Sequence, residues 1–253
     1  MTIDRLWFVV GVKVVWLSAG VSSFVAGYLA EAVDEWIYID IEDQHPDSMR
    51  FIRDCERVIG KPVTILRSLY YRNVESVCLG VRYINGPTGA PCTRALKKQV
   101  RKRWELDHMG DDLTYVWGMD CDEEHRAERI RESFPQVKHE FPLIDRKLSK
   151  SDAHGICRQL GIRRPAMYDL GYNNNNCVGC VKGGAGYWNR IRKDFPDVFA
   201  ARAKMEREIG HSILGDCFLD ELPEDKGRMS REIMEECSIL CQLAIMDVSE
   251  RDS

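Results

Sequence analysis

The 253-residue chain lacks an unbroken apolar run of membrane-spanning length. Its richest stretch, "LWFVVGVKVVWLSAGVSSFVAGYLA" from Leu6 to Ala30, carries Lys13 near its middle, where a charge is costly in a bilayer and interrupts the apolar core of a signal sequence. Small polar residues follow it (Ser18, Ser22, Ser23), and there is no second hydrophobic span. A membrane protein and a secreted one are thereby disfavoured, and a cytoplasmic setting is expected. A surplus of positive charge is also missing. Lys and Arg number 36 against 40 Asp and Glu, a net charge of -4, so no global field draws the molecule to nucleic acid or anionic lipid. Neither a Walker loop nor the dinucleotide G-x-G-x-x-G fingerprint occurs after a strand, and nothing repeats beyond a strand-helix unit. The ten cysteines are too dilute for a disulfide-stapled scaffold. In a reducing compartment, clustered thiols point to metal binding or catalysis.

What is present alternates regularly. "VKVVWL" (Val12 to Leu17) is short, β-branched and apolar, which suits a strand buried on both faces. A loop of small residues follows, and then Phe24, Val25, Tyr28, Leu29, Ala32 and Val33 recur at helical spacing. "WIYIDI" (Trp36 to Ile41) predicts a second strand. The segment from His45 predicts a helix burying Phe51, Ile52, Cys55, Val58 and Ile59, with Gly60 as its stop. "VTIL" (Val63 to Leu66) and "LTYVWGM" (Leu113 to Met119) predict two more strands, the latter followed by a charged helix. The expected fold class is therefore α/β: a mainly parallel, twisted, Rossmann-like sheet with helices on both faces, over residues 1–145. Residues 146–253 are expected to form a helical, cysteine-containing C-terminal subdomain. In such sheets ligands bind beyond the carboxyl ends of the strands, so the loops after Leu17, Ile41 and Met119 are the places to look.

Ser18, Ala19, Gly20, Val21, Ser22 and Ser23 join the first strand to its helix, where backbone N-H groups and hydroxyls converge at the positive end of a helix dipole. That is the chemistry of phosphate or pyrophosphate binding. "SAGVSS" resembles the loop of the PP-loop family, the adenine nucleotide alpha-hydrolase superfamily, which reads S-G-G-x-[DS]-S. "YIDIEDQHPDSMRFI" is similar to that family's second strand and acidic loop, and "YVWGMDCDEEHRAERI" to its later strand with Gly-x-Asp and an Arg-bearing helix. "GAPCTRALKKQVRKRW" is similar to the cysteine- and lysine-bearing segment of phosphoadenylyl-sulfate (PAPS) reductases, and "CVGCVKGGAGYWNRIRKDFP" resembles reductase-like proteins of bacteriophages. Three departures stand out: Ala19 occupies a glycine position, Ser22 occupies one where many relatives carry an acid, and the reductases' terminal redox segment is not present as such.

The resemblance implies an adenine nucleotide such as ATP, with Mg2+, in one of two reactions. One is cleavage of ATP between the α and β phosphates, adenylating an acceptor in sulfur-related transfer. The other is reduction of a sulfonucleotide to release sulfite. A non-catalytic nucleotide-sensing or nucleic-acid-associated module is a third alternative. In the first, Ser18, Ala19, Gly20, Val21, Ser22 and Ser23 would hold pyrophosphate, Asp40, Gly118 and Asp120 would place the nucleotide or magnesium, and Arg126 would offset phosphate charge. Cys92 joins Ser22, Ser23, Asp40 and Asp120 as a catalytic candidate. The acceptor is open, with nucleic acid among the alternatives, as are a sulfur- or electron-donor protein and a homo-oligomer.

Cys177 and Cys180 form C-x-x-C in a glycine-flanked loop, and Cys237 and Cys241 stand four apart. Together they offer four soft ligands to zinc or an iron-sulfur cluster. Cys92, Cys157, Cys177 and Cys180 are the alternative set. Cys55 and Cys78 fit the core by periodicity. Between Arg94 and Arg103 six cations occur with no acid, either a solvated helix face or a phosphate-binding one. His45 fits a satisfied loop position as well as a catalytic one, and Tyr187 and Trp188 fit the core.

Overall fold

A computed structural model describes residues 11–86 and 89–231. The elements are β1 (Gly11–Leu17), α1 (Val21–Leu29), β2 (Glu35–Ile39), α2 (Asp47–Ile59), β3 (Thr64–Leu66) and α3 (Val74–Val81). Next, α4 (Pro91–Thr93), a π turn (Arg94–Lys98) and α5 (Gln99–Asp107) run on without a break. They are followed by β4 (Asp112–Val116), a 3-10 turn (Cys121–Glu123), α6 (Glu124–Ser133), β5 (Lys138–Glu140) and α7 (Pro142–Asp145). The chain continues with α8 (Lys150–Gln159), α9 (Ala166–Asp169), α10 (Ala185–Asp194) and α11 (Pro196–Ile209).

The five strands form one parallel sheet in the order β3-β2-β1-β4-β5. Outward growth from β1 to β3, then a return to the other side of β1 with β4, makes the β1/β4 boundary a topological switch point. In open α/β sheets ligands bind beyond the carboxyl ends of the strands at such a point.

Alternation along each strand sends neighbours to opposite cores. Val15, Leu17, Trp36, Tyr38 and Val116 pack with Phe24, Phe51, Ile52, Cys55, Leu143, Ala153 and Cys157 beneath α1, α2, α7 and α8. Val14, Trp16, Ile37, Ile39, Tyr115 and Trp117 pack with Val77, Trp104, Ile130, Trp188, Ile191 and Met205 on the other face. Helices therefore cover both faces. Residues beyond 145 enter both cores, Ala153, Cys157, Ile162 and Tyr168 on one side and Met167, Trp188, Met205 and Leu222 on the other. Among the described residues no helix is long and apolar enough to cross a membrane. Lys13, the charge within the N-terminal apolar stretch, sits half-buried in β1 with its ammonium 2.7 Å from the Glu140 carboxylate.

Two elements differ from the periodic reading. α1 stops at Leu29, short of Ala32 and Val33, because the chain turns back beside β1: Ala32 takes φ 52° and the Asp34 N-H donates to the Lys13 carbonyl at 2.9 Å. β5, a three-residue edge strand of Lys138, His139 and Glu140, has no apolar pattern to announce it. α2 ends as expected at Gly60, which takes the left-handed φ of 67°.

Asp47 opens α2 and ties it to the segment before α9. Its carboxylate accepts from Arg50 at 2.9 and 2.6 Å, from the Ala166 N-H at 2.8 Å and from Arg163 at 3.2 Å. The Arg50 hydrogen bonds pull the carboxyl down to about 2, against the effect of burial and with the help of Ala166. A folded value below the unfolded one means this stability is complete above about pH 4 and is lost as pH falls through about 2. Asp47→Asn is expected to flatten the acid limb of stability against pH in urea melts. An unchanged limb would contradict the assignment.

Candidate functional site

The β1–α1 loop is closed on itself by hydroxyls. Ser18 and Ser23 hydroxyls meet at 2.9 Å, the Ser18 N-H donates to Ser23 Oγ at 3.1 Å, the Gly20 N-H donates to Ser18 Oγ at 3.1 Å, and Ser23 Oγ donates to the Gly20 carbonyl at 3.0 Å. Ala19 takes the left-handed φ of 56°. Its methyl is fully buried in the core beneath α1 and α2. α1 begins with no side-chain cap and no acid in its first turn, leaving the amides of Val21, Ser22 and Ser23 at the positive end of the helix. Ser22 and Ser23 are both buried.

Across the switch point, Gly118 lies against this turn. A Cβ there would fall 2.4 Å from the Ser23 N and Cα and 2.7 Å from the Ser22 carbonyl carbon. Gly118 thus serves the site by letting the loop after β4 touch the start of α1. Asp120 is buried and caps the 3-10 turn, accepting from the Asp122 N-H at 3.1 Å, while its own N-H donates to Glu123 at 3.3 Å. Burial, and then the neighbouring Glu123, raise its carboxyl above the ordinary value. Arg126 pairs with Glu123. Arg129, one turn on, is exposed.

After β2, Asp40 is held by Arg67 at 2.8 and 2.5 Å. Asp43 is the junction of four segments. Its carboxylate pairs with Arg202 of α11 and accepts from the Val74 N-H at the start of α3 at 2.6 Å, and its carbonyl accepts from the Val178 N-H of the C-x-x-C loop at 2.7 Å. His45 is a satisfied loop residue, its Nδ1 accepting from the Asp47 N-H at 3.1 Å.

The C-x-x-C loop is folded around one phenol. Tyr187 Oη accepts from the Cys180 N-H at 2.9 Å and donates to the Cys177 carbonyl at 3.2 Å, with both cysteines buried. Tyr187→Phe would remove the hydrogen bonds that the phenol makes to two buried backbone groups, an expected loss of about 2 kcal/mol. Denaturant unfolding measures it, and a parental midpoint would refute the role of the hydroxyl. Trp188 is fully buried, as its place in the periodicity implies.

The set Cys92, Cys157, Cys177 and Cys180 does not assemble. Cys157 lies in the core beneath α1 and α2, its Sγ 3.7 Å from the Ile162 carbonyl, whereas Cys177 and Cys180 belong to the opposite core and a half-buried Cys92 packs against it. Among the described residues no three His, Cys, Asp or Glu side chains come together at metal-binding range. Cys237 and Cys241 lie outside the described residues. Zinc or an iron-sulfur cluster thus finds in the described residues only half of a four-sulfur set. Burial keeps the Cys78 thiol up at about 12 and the Cys157 thiol up at about 11, both inert structural groups, and raises that of fully buried Cys55 as well.

Three contributions escaped the sequence. Asn175, within the four asparagines, donates from Nδ2 to the Ala19 carbonyl and to Ser48 Oγ, both at 2.9 Å, and so latches the β1–α1 loop to α2. Arg202 reads as a surface residue of a helix but is buried against Asp43. The basic stretch from Arg94 does not form one solvated face. Lys97 and Arg101 are buried, and Arg101 lies 4.7 Å over the Phe134 ring with its Nε 3.3 Å from Glu105.

No family model matches the chain, and no curated protein does. Among solved structures, the chain is similar to a phosphoadenylyl-sulfate (PAPS) reductase from Candida auris crystallised as a phosphate complex, at 12% identity and a TM-score of 0.46, over 69% of this chain and 84% of that one.

Proposed function

We propose that the β1/β4 crevice binds an adenine nucleotide and that the chain is a PP-loop enzyme of the PAPS reductase-like kind, cleaving ATP between the α and β phosphates in sulfur-related transfer. The observation that carries this reading is the uncapped first turn of α1, closed by the Ser18–Ser23 hydroxyl pair at the switch point of a parallel sheet. An acceptor oxygen would attack the α phosphorus, forming a P-O bond while the bond to pyrophosphate breaks, and the acceptor proton would pass to solvent. The amides of Val21, Ser22 and Ser23 would meet the charge gathering on pyrophosphate, where fixed donors act without reorganisation. Gly20 would leave room for the close approach, and Arg126, through the guanidinium it shares with Glu123, would add positive charge at the crevice.

Magnesium fits Asp120, a hard oxygen donor whose burial and acidic neighbour favour a bound cation, since the metal needs only one or two carboxylates when phosphates supply other oxygens. It would screen charge on the phosphates. A second reading, binding without turnover, is favoured by Arg67 and Arg202, which already occupy Asp40 and Asp43. The experiment is incubation of anaerobically purified protein with α-labelled ATP, magnesium and a panel of acceptors. AMP-bearing product with stoichiometric pyrophosphate is expected. Binding of ATP with no pyrophosphate supports the second reading, and sulfite from PAPS with thioredoxin replaces both by a reductase.

A further inference from the structure

A cleft of about 380 Å³ opens between α8 and the segment leading into α9. Cys157 and Ile162 form its buried apolar floor, and His154, Arg158, Arg163, Arg164 and Asp169 line it. Three guanidinium groups thus face one carboxylate. Arg164 pairs with Asp169 at 2.6 Å and Arg163 reaches Asp47 at 3.2 Å, but the Arg158 side chain has no ion pair or hydrogen bond among the described residues. The His154 ring stands edge-on to Tyr168 at 4.7 Å, and its Nδ1 is buried without a hydrogen-bond partner. Burial holds this imidazole below its ordinary pKa, and Arg164, Lys150 and Arg158 push in the same direction. An unmatched guanidinium fork and the half-buried His154 ring therefore share one concave, cationic surface.

We propose that this cleft is a second anion site, separate from the β1–α1 loop, and that it takes a phosphate group, either of a small phosphate ester or of a nucleic-acid backbone. A guanidinium offers paired N-H donors that match phosphate oxygens, and a neutral imidazole can donate one more hydrogen bond. The chain links this cleft to the β1–α1 loop. The segment that carries Arg163 and Arg164 continues to Ala166, bound to Asp47 at the start of α2, and on to Asn175, which holds the Ala19 carbonyl. The proposal does not depend on nucleotide binding at that loop.

The test follows the His154 ring by NMR, its resonance assigned by loss in His154→Gln, during titration of the full chain with inorganic phosphate and separately with a single-stranded oligonucleotide lacking terminal phosphates. At least one is expected to shift the resonance saturably, and Arg158→Ala, a change on the exposed side of α8, is expected to weaken that binding about tenfold, the effect of one charge-assisted hydrogen bond. Saturation by phosphate alone assigns a small ester. Saturation by the oligonucleotide at matched phosphate concentration, where free phosphate has no effect, assigns a backbone. A resonance that moves with neither, or equally in Arg158→Ala, overturns the site.

Discussion

Gly118→Ala is expected to cost about 3 kcal/mol of stability, the upper range for overpacking, and to weaken the anion binding proposed for the β1–α1 loop. The added methyl would fall 2.4 Å from backbone atoms of Ser23, so no rotamer change can relieve the contact. Retreat of α1 is blocked as well, because the helix is buried from Val21 through Gly27 and packs against α7 and α8. Either the loop after β4 lifts, uncovering Asp120, or the first turn of α1 deforms and loses its aligned amides. For a chain of this size the loss corresponds to roughly 10 °C in melting temperature. Calorimetry and pyrophosphate binding by titration give the two readouts. A variant that melts with the parent would show that the two loops do not need this contact.

Arg202→Met is expected to destabilise by about 3–5 kcal/mol, the range for stripping one partner from a buried ion pair. The Arg202 and Asp43 side chains are only 4% and 11% exposed, so solvent cannot replace the missing guanidinium. Methionine keeps much of the volume, which separates the charge effect from a packing defect. Asp43→Asn in the same background is expected to restore part of the loss, because the amide oxygen can still accept from the Val74 N-H without an uncompensated charge. Urea melts of the two single variants and the double one give the coupling. Strict additivity would mean that Arg202 and Asp43 act separately.

The strands β1, β2 and β4 were legible because a strand buried on both faces must be apolar along its whole length, and "VKVVWL", "WIYIDI" and "LTYVWGM" are nearly so. α2 was legible through its spacing and Gly60. β5 was not, since an edge strand of Lys, His and Glu has no reason to alternate. The β1–α1 loop could be read because strand, small residues and helix are contiguous in the chain. Gly118 could be singled out, but its reason could not, because the atoms it must avoid belong to Ser22 and Ser23. Asn175, Arg202 and Arg101 carry no local signal at all. Asn175 and Arg202 find their partners in distant segments, Arg101 pairs with Glu105 in its own helix but meets the Phe134 ring from far along the chain, and an arginine on a helix looks the same in sequence whether solvent or a carboxylate faces it. The cysteines fail for a related reason: spacing places Cys177 beside Cys180 but cannot tell that Cys157 lies on the other side of a sheet.

The division of the hydrophobic interior has a consequence for how the protein comes off the ribosome. All five strands have been synthesised once Glu140 has been added, yet the cluster around Trp16, Ile37 and Tyr115 also draws on Trp188, Ile191, Met205 and Leu222. A nascent chain paused between these points presents an aromatic sheet face without its cover, the kind of surface that chaperones bind and that aggregates at high local concentration. Slow translation through α8 and α9 would prolong that exposure. Expression that is sensitive to codon choice in this interval, with rescue by added chaperone, is the behaviour this architecture entails.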